Sequence, residues 1–213
     1  MKKNTLLLFA IFSLSIIQSK AQDFYLGFRA DPNIGFFQSD DKRFKSDGSK
    51  IGFNFGLIAD YKLTDNYLFG TGLTINSMGG KFINTESASV TRSEYSLRYL
   101  EIPLTLKLRT NEIGYSKYFG QFGLTTGVNV RARSKGEVNT AGVITAFDNI
   151  DVTKDINILR LGLLIGGGIE YSLGGRTSLI GGLSYNNGLT DITDQKDFKV
   201  VNSYVALNLG IVF

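Results

Sequence analysis

From Phe24 onward the chain alternates apolar and polar side chains with a period of two, the repeat of strands whose two faces lie in different surroundings. Eight strands are predicted, at about 24–37, 50–63, 67–78, 93–109, 118–133, 157–173, 177–187 and 200–213. The last carries Val205, Leu207, Leu209, Ile211 and Phe213 on one face up to the final residue. Such a strand needs both a pairing partner and an apolar cover.

The predicted connections alternate in length. Those after the second, fourth and sixth strands are short, at 64–66, 110–117 and 174–176. Those after the first, third, fifth and seventh are longer and polar, the longest at about 134–156. Tight turns at one end and long loops at the other are the pattern of a transmembrane barrel of the bacterial outer membrane, with the turns periplasmic and the loops extracellular. The fold expected is therefore all-β: an eight-stranded antiparallel up-and-down transmembrane β-barrel. An even strand number places both ends of the sheet on the periplasmic side.

The alternation also says which face is greasy. Ile51, Phe53, Phe55, Leu57, Ala59, Tyr61 and Leu63 share one face of the second strand, against Gly52, Asn54, Gly56, Ile58 and Asp60. The strands at 118–133 and 157–173 divide in the same way, into a continuous apolar face and a face of Gly, Asn, Thr and charges. No charge falls in the middle of any apolar face. A basic side chain facing lipid at mid-depth costs about 2–4 kcal/mol, so lipid selects such faces and water does not. Phe24, Tyr61, Tyr67, Tyr118, Tyr171 and Phe213 all fall at predicted periplasmic strand ends, where an interfacial aromatic girdle belongs.

The other face then points inward. Eight strands enclose a space just wide enough for side chains. Glycines such as Gly70, Gly127 and Gly162 make room there for Arg29, Asp60, Glu101, Lys107, Arg131, Arg160 and Glu170. Charges of both signs in a narrow interior are expected to pair, because an unpaired buried charge is costly. The candidate lumen network is thus Arg29, Asp60, Glu101, Arg131, Arg160 and Glu170, and it reads as a polar plug; a conducting lumen is the alternative. The fourth strand breaks the pattern: its apolar set changes phase between Tyr95, Leu97, Tyr99 and Leu100, Ile102, Leu104, with Pro103 close by. A bulge at about 99–103 is expected to absorb both irregularities.

Composition changes the picture at the N-terminus. Lys2 and Lys3 precede a 12-residue apolar run from Leu6 to Ile17, followed by Ser19-Lys20-Ala21. That is a cleavable export signal at 1–21 leaving a barrel domain at 22–213; a membrane-spanning helix needs about 20 apolar residues. Without the signal the formal charge drops from +4 to +1, which leaves no basic stripe for nucleic acid. Gly is abundant at 25 residues and Pro scarce at 2, a balance that fits regular strands rather than linkers.

The chain has no Cys and no His. No lipid can be attached at a Cys, and neither a Ser-His-Asp triad, a Cys nucleophile nor a typical zinc site can be built. Asp40-Asp41 and Asp148 with Asp151 lie in predicted outer loops and read as solvated surface. The Gly-Gly-Gly at 166–168 lies inside a strand and lacks the Lys-Ser/Thr of a phosphate loop. No enzyme activity and no cofactor are expected.

The stretches "YLEIPLTLKLR" (99–109), "FGQFGLTTGVNVRA" (119–132), "GLLIGGGIEY" (162–171) and "SYNNGLTDI" (184–192) resemble the PorT-like outer-membrane β-barrel family of Bacteroidota. The resemblance implies an eight-stranded barrel in the outer membrane. It also implies that the final aromatic, Phe213, acts as the signal read by the barrel-assembly machinery. One member of that family is linked to secretion through the type IX pathway; no catalytic or binding residue is implied. The expectation is a structural or interaction protein held in outer-membrane lipid, meeting a protein partner through the loop at 134–156, with a narrow passive channel as the alternative.

Overall fold

The computed structural model describes residues 23–41, 44–86, 89–193 and 199–213. The expected export signal at 1–21 lies outside the described residues. Nine strands run β1 (Phe24–Ser39), β2 (Phe44–Lys62), β3 (Tyr67–Glu86), β4 (Ser89–Arg109), β5 (Ser116–Thr140), β6 (Val143–Asp151), β7 (Leu159–Gly174), β8 (Thr177–Gly188) and β9 (Val200–Val212). All pairings are antiparallel, in the order β4-β3-β2-β1-β9-β8-β7-β5, and a β4–β5 pairing closes the ring of eight. β6 stands outside the ring and forms a hairpin with the far end of β5.

The terminal strand has the partners its pattern required. β9 pairs with β8 on one side and with β1 on the other, from Gly27↔Val212 to Ser39↔Val200. Leu26 and Phe213 exchange backbone hydrogen bonds of 3.1 and 2.8 Å at the seam. No edge strand is left in the ring.

The two ends differ as expected, but by ordered projection rather than by loop. Residues 38–49 and 79–92, expected as loops, largely continue β1, β2, β3 and β4. Much of 134–156 is likewise strand: β5 extends to Thr140 and returns as β6. A ladder already registered by the barrel adds backbone pairs without new nucleation, and β-branched residues such as Val90, Thr91, Val143 and Ile144 favour it, so polar sequence there did not mean irregular backbone.

The fourth strand corrects a second expectation. Tyr99 is buried and Leu97 is too, on the same face as Glu101 and Pro103, so β4 keeps one alternation throughout. The extra residue sits on the neighbouring strand: Arg98 pairs with Arg131 and Tyr99 with Asn129, leaving Val130 as the bulge in β5. Pro103 keeps its place in the β5 ladder, while pairing with β3 lapses between Thr105 and Glu101, as a residue without an N–H requires.

The section through the barrel is inside-out. Leu57, Phe122, Leu163 and Leu207 are each 44–52% exposed on the outer wall. Asp31, Asn76, Asn186 and Asn202 are fully enclosed. Towards the long-hairpin end the interior changes character. Phe37, Met78, Leu97, Tyr99, Val200 and Tyr204 form a buried apolar cluster there with Ile156 and Ile192 of the connecting segments. Tyr95, Leu97 and Tyr99, which the alternation assigns to the outward apolar set, face inward here.

Candidate functional site

The interior polar side chains fall into layers set by register. Nearest the short turns, Lys107 (β4) is ion-paired with Asp60 (β2) and lies 3.2 Å from Glu170 (β7). Arg109 holds the other oxygen of Glu170 at 3.2 Å. Two cations and two carboxylates, all nearly buried, thus tie three strands across the lumen. Each charge has an opposite partner in contact, which is what offsets desolvation in so narrow a space. The Lys107 ammonium also stands 5.2 Å from the centre of the Phe119 ring.

Arg29 is ion-paired with Asp31, two residues along the same inner face of β1. Asp31 also accepts a 3.0 Å hydrogen bond from the backbone N–H of Leu209, across the β1–β9 seam. The next layer is the most enclosed. Arg160 Nη1 lies 3.2 Å from Glu101 Oε1, with both side chains 2% exposed or less. Arg160 Nη2 donates to Asn186 Oδ1 at 2.7 Å and to the Asn202 carbonyl at 2.8 Å. The second oxygen of Glu101 accepts from Asn76 Nδ2 at 3.0 Å and from the Tyr204 hydroxyl at 3.4 Å. Side chains from β3, β4, β7, β8 and β9 therefore meet at one level. Gly162 makes the space: a Cβ there would lie 2.8 Å from Thr125 Oγ1 and 3.1 Å from Arg160 Nη1.

Of the six residues expected in the lumen network, five face inward, in three groups: Asp60 with Glu170, Glu101 with Arg160, and Arg29 by itself with Asp31. Arg131 does not. The Val130 bulge reverses the alternation, so Arg131 is exposed on the outside opposite Arg98. Both arginines lie on the long-hairpin side of the Tyr99↔Asn129 pair. Asp31, Arg109, Asn33, Asn76, Asn186, Asn202 and Tyr204 were missed as network members. Their signal was the same period of two: Asp31 and Asn33 follow Arg29 on one face.

Outside the wall, carboxylates behave differently. The hydrogen bond from Lys62, and its charge, hold the Asp65 carboxyl below the usual range in the short turn. Asp151, at the end of β6, is likewise lowered, by the 2.9 Å hydrogen bond from the Thr153 N–H and by the Thr153 hydroxyl. Among the described residues no group of three or more acidic side chains is placed to hold a metal ion.

A closed ring with an apolar outer wall, a charge-paired interior and asymmetric ends defines an integral membrane barrel of the outer-membrane class. The chain belongs to the family described as outer membrane protein beta-barrel domain, which it matches over residues 18–194. It is an outer-membrane protein, and its apolar wall sits in the lipid of that membrane. Among solved structures it is similar to Neisserial surface protein A, at 15% identity over 89% of this chain and 96% of that one, with a TM-score of 0.52. It also matches OprG of Pseudomonas aeruginosa, at 13% identity over 89% and 95% of the two chains, TM-score 0.44. The N-terminal barrel of P. aeruginosa OprF matches at 12% identity over 89% and 97%, TM-score 0.41. At these identities the first likeness shows a shared fold, and the other two carry no argument. A comparison with curated proteins finds no match.

Proposed function

We propose that this barrel is a non-enzymatic structural and interaction protein of the PorT-like kind, with a lumen plugged by its own polar side chains. The observation that carries this reading is the Glu101–Arg160 pair, whose hydrogen bonds reach five strands at one level. A barrel that does not conduct acts through what it displays. The β5–β6 hairpin is the largest display: among the described residues β6 pairs with β5 alone, and its Val143 and Ile144 are 68% and 61% exposed. A partner protein outside the membrane docks on that hairpin. Phe213, exposed at the short-turn end beside Phe28, is the residue read by the barrel-assembly machinery. Accessory roles in secretion or surface attachment both fit this arrangement.

The second reading, a narrow passive channel for small solutes, has one observation in its favour. The short-turn half of the lumen contains cavities of about 40 and 90 Å³. These have room for water.

A photo-reactive side chain in place of Ile144 in intact cells tests the interaction reading. A discrete protein adduct is expected at 144 and none at lipid-facing Ile51; no adduct at 144, or the same adduct at both positions, overturns it.

A further inference from the structure

We propose that the apolar cavity of about 210 Å³ at the long-hairpin mouth of the barrel is a binding site for a small uncharged aromatic or aliphatic molecule arriving from outside the cell. Its floor is Phe37, Leu97 and Val200 on the barrel wall, roofed by Ile156 and Ile192. All five are buried. The Phe37 ring stacks on Phe82 with centroids 4.8 Å apart, and Tyr95 meets both edge-on, which makes one side of the cavity an aromatic wall.

The roof is fixed. Val152 N–H donates to the Ala132 carbonyl at 3.1 Å, and the Thr153 hydroxyl accepts from the Ala132 N–H at 2.9 Å. Ile192 N–H donates to the Val200 carbonyl at 2.9 Å, and Asn157 joins the two roof segments through Ile192 and Thr193 carbonyls at 2.9 and 2.7 Å. Segments tied at both ends cannot settle into the space beneath them. Protein interiors leave few voids larger than a water molecule, and one lined by hydrocarbon gives water too few partners. An apolar cavity of about 150 Å³ engineered in another protein stays dry and admits benzene; this one is larger.

Among the described lining residues the charged and hydroxyl side chains are Asp155, which is exposed, Thr193, which is half-buried, and the Tyr95 phenol. A preformed apolar pocket with a few polar atoms at its rim is the usual form of a small-molecule site. Below it, Tyr204 belongs to the apolar cluster and donates to Glu101, so the cavity ends on the closed polar layer. The site retains a molecule without passing it into the lumen.

The test is toluene titrated into methyl-labelled, refolded full-length protein and followed by NMR. The methyls of Leu97, Ile192 and Val200 are expected to shift saturably, while those of outward Ile51 and Leu57 change linearly with toluene partitioned into the detergent. Val200→Phe or, on the roof, Ile156→Phe fills the cavity and is expected to weaken the saturable response at least tenfold. Linear, equal shifts at inner and outer methyls overturn the proposal, as does a saturable response unchanged in a folded filling variant. Adduct formation at 144 is independent of every one of these outcomes.

Discussion

Arg160 divides its guanidinium between one carboxylate, one amide and one backbone carbonyl, each on a different strand. Removing Glu101 leaves that cation buried without its counter-ion, and Glu101→Leu is expected to cost about 3–5 kcal/mol in urea unfolding from lipid vesicles. Pairing it with Arg160→Met replaces both charges by hydrocarbon and is expected to recover most of the loss; a double variant no more stable than the single one contradicts the pairing. Exposed Asp151 makes a different prediction. Its carboxyl is held below the ordinary aspartate value of about 3.9 by the Thr153 N–H, so the charged form is the one the fold favours. Its contribution is present above that ordinary value and is lost as pH falls through the lowered folded value. The Thr153 amide resonance is expected to titrate with a midpoint below that of an unfolded peptide, and the titration should vanish in Asp151→Asn.

At the scale of elements, the period of two made nearly everything about the ring legible: eight strands, their order of turns and the greasy side of each. What it could not show was a one-residue change of phase. Tyr95, Leu97 and Tyr99 are large and apolar, so the alternation rule alone assigned them to lipid. In fact they pack with Phe37 and Tyr204 inside, and the phase break belongs to β5. A bulge leaves no compositional mark when the inserted residue, Val130, is itself a good strand former. Deleting Val130 removes the extra residue, so that Arg131 follows Asn129 on the outer face and Ala132 stays inside. The deletion variant is expected to refold to the compact form that migrates differently without heating, as the wild type does; loss of that form means that β5 needs the extra residue to pair with β4. The hairpin ends were hidden for a related reason: polarity marks where lipid stops, whereas the ladder stops only where pairing does. Residues 138–145 lie beyond the Glu137↔Ala146 pair, and replacing them with Asn-Gly is expected to leave heat-dependent migration intact while abolishing co-purification of the protein crosslinked at 144 in the full-length hairpin.

For the whole molecule, the polarity of a soluble protein is inverted, and lipid supplies outside what a core supplies elsewhere. The interior is balanced in contact pairs: Lys107 and Arg109 with Asp60 and Glu170, Arg29 with Asp31, Arg160 with Glu101. Sequence composition announced charges of both signs inside but not which would meet, because partners such as Lys107 and Glu170 lie 63 residues apart, on β4 and β7 with β5 between them. Leu26 and Phe213 join the first strand to the last at the seam of the ring. Phe213→Asp is expected to lower the amount of barrel in the outer membrane well below that of the shortened-hairpin variant; equal levels of the two contradict the role given to Phe213. The central claim is that the charge-paired layers close the lumen, and current through purified wild-type protein in a planar lipid bilayer tests it most directly. No steady conductance above that of the bare membrane is expected; discrete, reproducible openings of the wild-type protein contradict a closed lumen.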